Sequence, residues 1–170
     1  MADSVSLRLT CGEEDLDWLS ALAMDPLVEP FLASGRGEPA ALRELVPPPA
    51  SDEKLYGLHL IESARGERLG GLALMPASRI SSICEVTRVM VRPDVRRTGV
   101  ALAAVRLVSR LALLDHGLHR IETQVYSDNL AGQRLFERAG FTREGMRRRA
   151  YWRRQRWLDG ILYGLLAEEL

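Results

Sequence analysis

The sequence predicts one domain of the α/β (α+β) class: a mixed, mostly antiparallel sheet flanked by helices. Three observations carry this. Three strand-like segments cluster between about Lys54 and Arg92, the last of them rich in β-branched residues, and two more strands close the chain. Helical spacing of apolar residues recurs before, between and after them. One strand-helix-strand crossover, from "ICEVTRVMVR" to "HRIETQVYS", supplies the parallel pair, while tight connections make the other neighbours antiparallel. The expected order is β-α-α-β-β-β-α-β-α-β-β, without internal repeat, and 170 residues fit one domain, 1–170, able to bury its own core.

Each element has a local reason. "SLRLTC" (Ser6 to Cys11) alternates as a strand. "GEEDLDWLSALAMDP" opens with acids in a first turn, aligns Leu16, Leu19, Leu22 and Ala23, and is closed by Pro26. A second helix or pair of turns is expected between Pro26 and Val46, and "PPPASDE" (Pro47 to Glu53) reads as a surface connection. "KLYGLHLIE" and "RLGGLALMP" form a hairpin across "SARGE", and "ICEVTRVMVR" is a third strand stopped by Pro93. From about Thr98 to Asp115, Val100, Ala104, Leu107, Val108, Leu111 and Leu114 follow helical spacing, with Gly117 as the cap. "HRIETQVYS" is a strand and "DNLAGQRLFERAG" a helix ending at Gly140, where Phe141 can fold back. The remainder makes two strands joined at about Arg154 to Arg156.

Composition excludes several classes. Lys+Arg and Asp+Glu both number 23, so overall charge gives no reason to expect nucleic acid or an acidic membrane as partner. Cys11 and Cys84 match no metal or redox spacing, and no metal is expected. The opening "MADSVSLRLTCGEEDLDWL" carries acids where a secretory signal needs a basic region and an apolar core. No apolar stretch reaches membrane-spanning length, so a cytoplasmic protein is expected.

The junction "RPDVRRTGVALAAV" (Arg92 to Val105) is the chemically suggestive stretch. The first N–H groups of the helix starting near Thr98 have no partner within it and carry the positive dipole end. Gly99 and Ala101 allow close approach, while Arg96 and Arg97 add charge. A phosphate fits here; a turn with two solvated arginines is the plain alternative. A Walker loop is excluded, because no Gly-Lys-Ser/Thr occurs in the chain. A dinucleotide fingerprint fails on its single glycine, although Glu122 lies on the following strand.

"VMVRPDVRRTGVA" resembles motif A of the GNAT superfamily of acyl-CoA N-acetyltransferases, with Val91, Pro93, Arg96, Gly99 and Ala101 at the pattern positions. "VYSDNLAGQRLFERAGF" resembles motif B through Asn129, Leu135, Gly140 and Phe141. The resemblance spans about Leu7 to Leu166 and implies a GNAT fold and acetyl-CoA as cosubstrate. By it, the backbone of Arg97, Thr98, Gly99, Val100 and Ala101 holds the diphosphate beside Arg96. The strand end at Met90 and Val91 pairs with pantetheine, and Asn129 bonds the same arm or the cofactor near it. The family often has Tyr seven residues after that Asn, to protonate the departing thiolate; Phe136 stands there instead. Its relatives of the RimJ/RimL type, which act on protein N-termini, commonly lack the Tyr, and the C-terminal strands resemble theirs.

Direct attack of a primary amine, from a protein N-terminus or a small molecule, is the expected reaction, with no covalent nucleophile. Glu85 and Glu122 are the candidate bases. Alternation of "ICEVTRVMV" puts Ile83, Glu85, Thr87, Val89 and Val91 on one face, where a half-buried carboxylate has a raised pKa suited to a base. A cross-strand ion pair is the plain reading of Glu122, which shares its face with Gln124 and Tyr126. Without Tyr at 136, water, Tyr126, Tyr151 or backbone dipoles must assist the thiolate. His59, His116 and His119 are less persuasive. The seven arginines between Arg143 and Arg156 read first as a solvated face or a homodimer contact. A non-catalytic acyl-CoA-binding or nucleic-acid-associated module is the alternative function, supported by Phe136 and those arginines.

Overall fold

The computed structural model describes residues 5–10, 12–32, 39–46 and 55–170. Strands β1 (Val5–Leu9), β2 (Gly57–Ser63), β3 (Arg68–Ser78) and β4 (Ile83–Val91) pair antiparallel in succession. The parallel pair is β4 with β5 (Arg120–Tyr126). Beyond it β7 (Arg156–Leu166) pairs antiparallel with both β5 and β6 (Thr142–Arg153), so the sheet runs β1-β2-β3-β4-β5-β7-β6. Helix α1 (Glu13–Ala23) and the short α2 (Pro39–Arg43) cover one face, and α3 (Val100–Arg110) with α4 (Leu130–Ala139) the other. The mixed, mostly antiparallel sheet is the expected one. Cys11 and the connection at Pro47 to Glu53 lie outside the described residues.

Two cores hold the layers together. Leu16, Leu19, Leu22 and Ala23 of α1 pack on Leu58, Leu60, Ala73 and Met90, as the helical spacing predicts. On the opposite face Ala104, Val105, Val108 and Ala112 meet Leu72, Cys84, Val86 and Ile121. Here the expected stripe needs correction: Leu107 and Leu114 are exposed, and Val105 and Ala112 take their places. The helix passes at Leu111 into a π-helical turn, Leu111–Asp115, which rotates the stripe. Between Pro26 and Val46 the described residues form a 3₁₀ turn, Glu29–Phe31, and α2.

The expected end of α4 at Gly140 holds, and its start is capped by Asn129, a role not expected from the sequence. Asn129 Oδ1 accepts from the Gly132 N–H at 2.9 Å. At the other end Gly140 is left-handed (φ 105), and the Phe141 N–H returns to the Phe136 carbonyl at 3.0 Å.

Candidate active site

The sheet forks at its parallel pair. β4 and β5 are in register only from Ile83 opposite Arg120 to Glu85 opposite Glu122; beyond that point they part. At the fork the Thr123 hydroxyl donates to the Val86 carbonyl at 2.8 Å, satisfying a backbone acceptor that the missing ladder would orphan. The resulting cleft is lined from both faces. Leu135, Phe136 and Asn129 come from the α4 side, and Phe31, Leu32, Glu85, Arg88 and Gln124 from the other. It therefore passes through the sheet rather than resting on it.

A β-bulge re-aims β4 within this cleft. Gly71 pairs with Met90 and Ala73 with Thr87, so two residues of β4, Arg88 and Val89, face one of β3, Leu72, and Arg88 takes the left-handed φ of 51°. Unbroken alternation would send Cys84, Val86, Arg88 and Met90 into one core. Instead Cys84 and Val86 pack toward α3, and Met90 packs toward α1. The expectation that Glu85, Thr87, Val89 and Val91 share a face is thereby corrected. Glu85 and Thr87 keep their face, while Val89 and Val91 turn to the α3 side. The physical reason is the cost of burying a guanidinium in an apolar core, which the extra residue avoids.

Past β4, Pro93–Val95 form a 3₁₀ turn and Arg97 (φ 66) and Gly99 (φ 96) are both left-handed. The N–H groups of residues 97–102 have no backbone acceptor among the described residues, so they make a concave row of donors at the α3 dipole. Thr98 Oγ1 donates to the Val95 carbonyl at 2.7 Å and fixes the curvature. Asp94, the acid of this loop, is engaged by Arg92, whose guanidinium holds its carboxyl below the ordinary range. Arg96 donates to the Leu27 carbonyl at 2.6 Å, and Arg97 is exposed. An anion meets donors and positive charge here, so the residues present fit a diphosphate.

The two candidate carboxylates lie side by side at the fork. Burial, and then the neighbouring Glu122 charge, raise the pKa of Glu85, while Arg88 opposes them. Glu85 makes no hydrogen bond or ion pair among the described residues. Glu122 is held by Arg120 Nε at 3.3 Å; Arg120 also grips Glu144 of β6. Of the pair, Glu85 is the one whose carboxyl is held above its ordinary pKa.

Phe136 is buried edge-on to Phe141 at 5.1 Å and stacked on Tyr163, whose hydroxyl donates to Glu137 at 3.0 Å. Tyr151 accepts from Gln124 and, at 3.3 Å, from Arg147. Burial raises its pKa and the Glu85 charge adds to that, opposed by Arg147. Tyr126 lies 5.2 Å from Tyr151, with Arg153 at 5.9 Å from the Tyr126 ring and paired to Glu29 at 2.6 Å. Part of the arginine run thus folds back over the α1 side of the cleft, while Arg148 and Arg149 are exposed on the edge strand β6 and Arg154 in the turn after it. Charge and a bulge on that edge discourage another strand from adding to it.

The remaining candidates fall away from the fork. His59 is buried with its ring on the Gly57 carbonyl, and burial pushes its pKa down to about 4. His116 and His119 belong to the connection between α3 and β5. The Cys84 thiol, buried and pushed up to about 12, is no nucleophile. No group of three or more His, Cys, Asp or Glu able to hold a metal occurs among the described residues. Thr123 and Arg88 are the site residues that sequence reading missed. Each had a signal: a polar residue alternating with Ile121 and Val125, and a charge at a position that alternation would bury.

Comparison with known proteins names the class. Residues 5–142 match the acetyltransferase (GNAT) domain, and the chain belongs to that family. It is 34% identical over 74 residues to the SPbeta prophage-derived uncharacterized N-acetyltransferase YokL of Bacillus subtilis (strain 168), covering 44% of this chain and 42% of that protein. It is 45% identical over 51 residues to the probable N-acetyltransferase YjcK of the same organism, covering 30% and 28%. The chain therefore spans less than half the length of these curated relatives. The structure of the spermidine N-acetyltransferase of Vibrio cholerae in complex with CoA and spermine superposes with a TM-score of 0.83 at 19% identity, covering 98% of this chain and 97% of that one. A second structure of the Vibrio cholerae enzyme, in complex with manganese ions, gives 0.77 at 19%, covering 97% and 94%. At this identity the likeness is one of fold.

Proposed function

We infer that the protein is an acetyl-CoA-dependent N-acetyltransferase that transfers acetyl to a primary amine by direct attack in a ternary complex. The observation that carries this is the fork: a cleft through the sheet with a row of unpaired N–H donors at the end of the same strand. The donors of Arg97, Thr98, Gly99, Val100 and Ala101 hold the diphosphate, assisted by the charge of Arg96. The open edge of β4 near Met90 and Val91 receives the pantetheine amides, and the Asn129 side chain, turned inward by its capping bond, faces the same arm. Phe136 gives that arm an apolar wall. Acetyl-CoA, when bound, supplies an acyl carbon activated as a thioester.

The protein's own residues then manage protons. Glu85, with its raised pKa, takes the proton of the attacking amine directly or through water. As the C–N bond forms and the C–S bond breaks, that proton is returned through Glu85 and water to the departing sulfur. The balance thus closes without an acid at position 136. Of the phenols, Tyr151 is the one whose ionisation couples to Glu85, and it borders the amine side. Two amine classes fit this chemistry, a protein N-terminus of the RimJ/RimL kind and a small-molecule amine. The spermine-bound neighbour favours testing small amines first.

Calorimetry with acetyl-CoA tests the reading. Gly99→Glu places a side chain on a left-handed residue and a negative charge among the anion donors. It should weaken binding at least about 100-fold, on the order of 2.7 kcal/mol. A wild-type chain that binds neither CoA nor acetyl-CoA overturns it.

A further inference from the structure

Arg88 is the charged group in the cleft that the chemistry above does not use. It is half-buried at the crest of the β4 bulge and lines the cleft three residues from Glu85. Among the described residues it makes no hydrogen bond and no ion pair. Glu85 and Glu44 act on it only as charges at longer range, and burial outweighs them, so the guanidinium holds its proton less firmly than usual. Beside it Thr87 Oγ1 is buried without a hydrogen-bond partner. A guanidinium carries five donors in a planar fork suited to a carboxylate, and burying it unpaired costs free energy that a bound anion would return.

We propose that Arg88 is a specificity-determining residue that binds a carboxylate carried by the amine acceptor itself. The proposal rests on the acetyltransferase reading and names its substrate class: an amine with an acidic group close to the reacting nitrogen, an amino acid or an acidic peptide N-terminus. Such a molecule sets its amine against Glu85 and its carboxylate against Arg88, pairing both charges of the cleft. A polyamine would instead bring positive charge against Arg88.

Matched acceptors test this. Alanine against alaninamide probes an α-carboxylate. A peptide beginning with Asp against its Asn counterpart probes a side-chain carboxylate, so the arm that responds identifies the source. The wild type should prefer the acidic member of one pair at least about tenfold in kcat/KM, because the site's donors go unpaired with the other. Arg88→Gln should bring that ratio close to one through KM and leave the acetyl-CoA KM unchanged, and Arg88→Lys should restore part of it. Gln and Lys meet the same φ strain as Arg, so backbone geometry is held constant. Equal use of both members in both pairs, or a preference that survives Arg88→Gln, overturns the proposal. NMR titration of the N-acetylated acids onto the CoA-bound protein reads the same site without turnover. Binding lost in Arg88→Gln supports it, and no binding to the wild type, or equal binding to both, overturns it. Absence of CoA binding in that titration is a different failure, that of the acetyltransferase reading.

Discussion

The two edges of β5 face opposite fates. Along one edge the strand pairs with β7 over its whole length, from Arg120 opposite Leu166 to Tyr126 opposite Gly160. Along the other it pairs with β4 only as far as Glu122. The same seven residues thus form part of a closed ladder and half of an open cleft. On the closed side the backbone groups are spent on each other, and side chains add surface ion pairs such as Arg120 with Glu144. On the open side backbone groups lack a partner strand, with the Thr123 hydroxyl covering for one of them and Glu85 set beside the like charge of Glu122. On the closed edge the ladder satisfies the backbone by itself, whereas on the open edge single side chains must do so, and each of them matters more.

Substitutions on the open edge should show that division. Glu85→Gln should lower kcat roughly 100-fold at neutral pH and leave acetyl-CoA affinity intact, since a positioned base contributes about 10² or more. Its pKa is raised, so the acid limb of the wild-type pH-rate profile should lie above the ordinary carboxylate value of 4.5, with activity falling as pH drops through it. The limb should vanish in the variant, and a limb that persists would assign the base elsewhere. Thr123→Val, which leaves the Val86 carbonyl without its donor, should cost about 1–3 kcal/mol in denaturant unfolding. A neutral result would mean that the fork is held open by packing alone.

The closed edge should answer weakly. Glu144→Gln removes a partly exposed ion pair and should cost at most about 1 kcal/mol, with activity unchanged. Glu144 has a lowered pKa in the fold. Its contribution is therefore full above the ordinary carboxylate value of 4.5 and lost as pH falls through the lower, folded one. Wild type and variant should converge in acid; a gap that persists there would show that packing, not charge, is at work.

Much of this was legible in the chain. The α1 stripe, the end of α4 at Gly140, and the donor row at the start of α3 are local devices, set by residues within a turn or two of each other. The sequence by itself determined those, together with the order of elements along the chain, because short-range sterics and periodicity are enough to specify them. Tertiary structure decided the rest. Strand alternation assumes an unbroken ladder, and whether β4 stays in register depends on which partner it meets and on where a charge must go. The bulge at Arg88 arises because an arginine would otherwise enter the core beneath α3. The fork arises where β4 and β5 part after Glu122. Both are long-range outcomes, and together they set Glu85 and Arg88 in a cleft that opens through the sheet, where residues close in sequence could not have placed them.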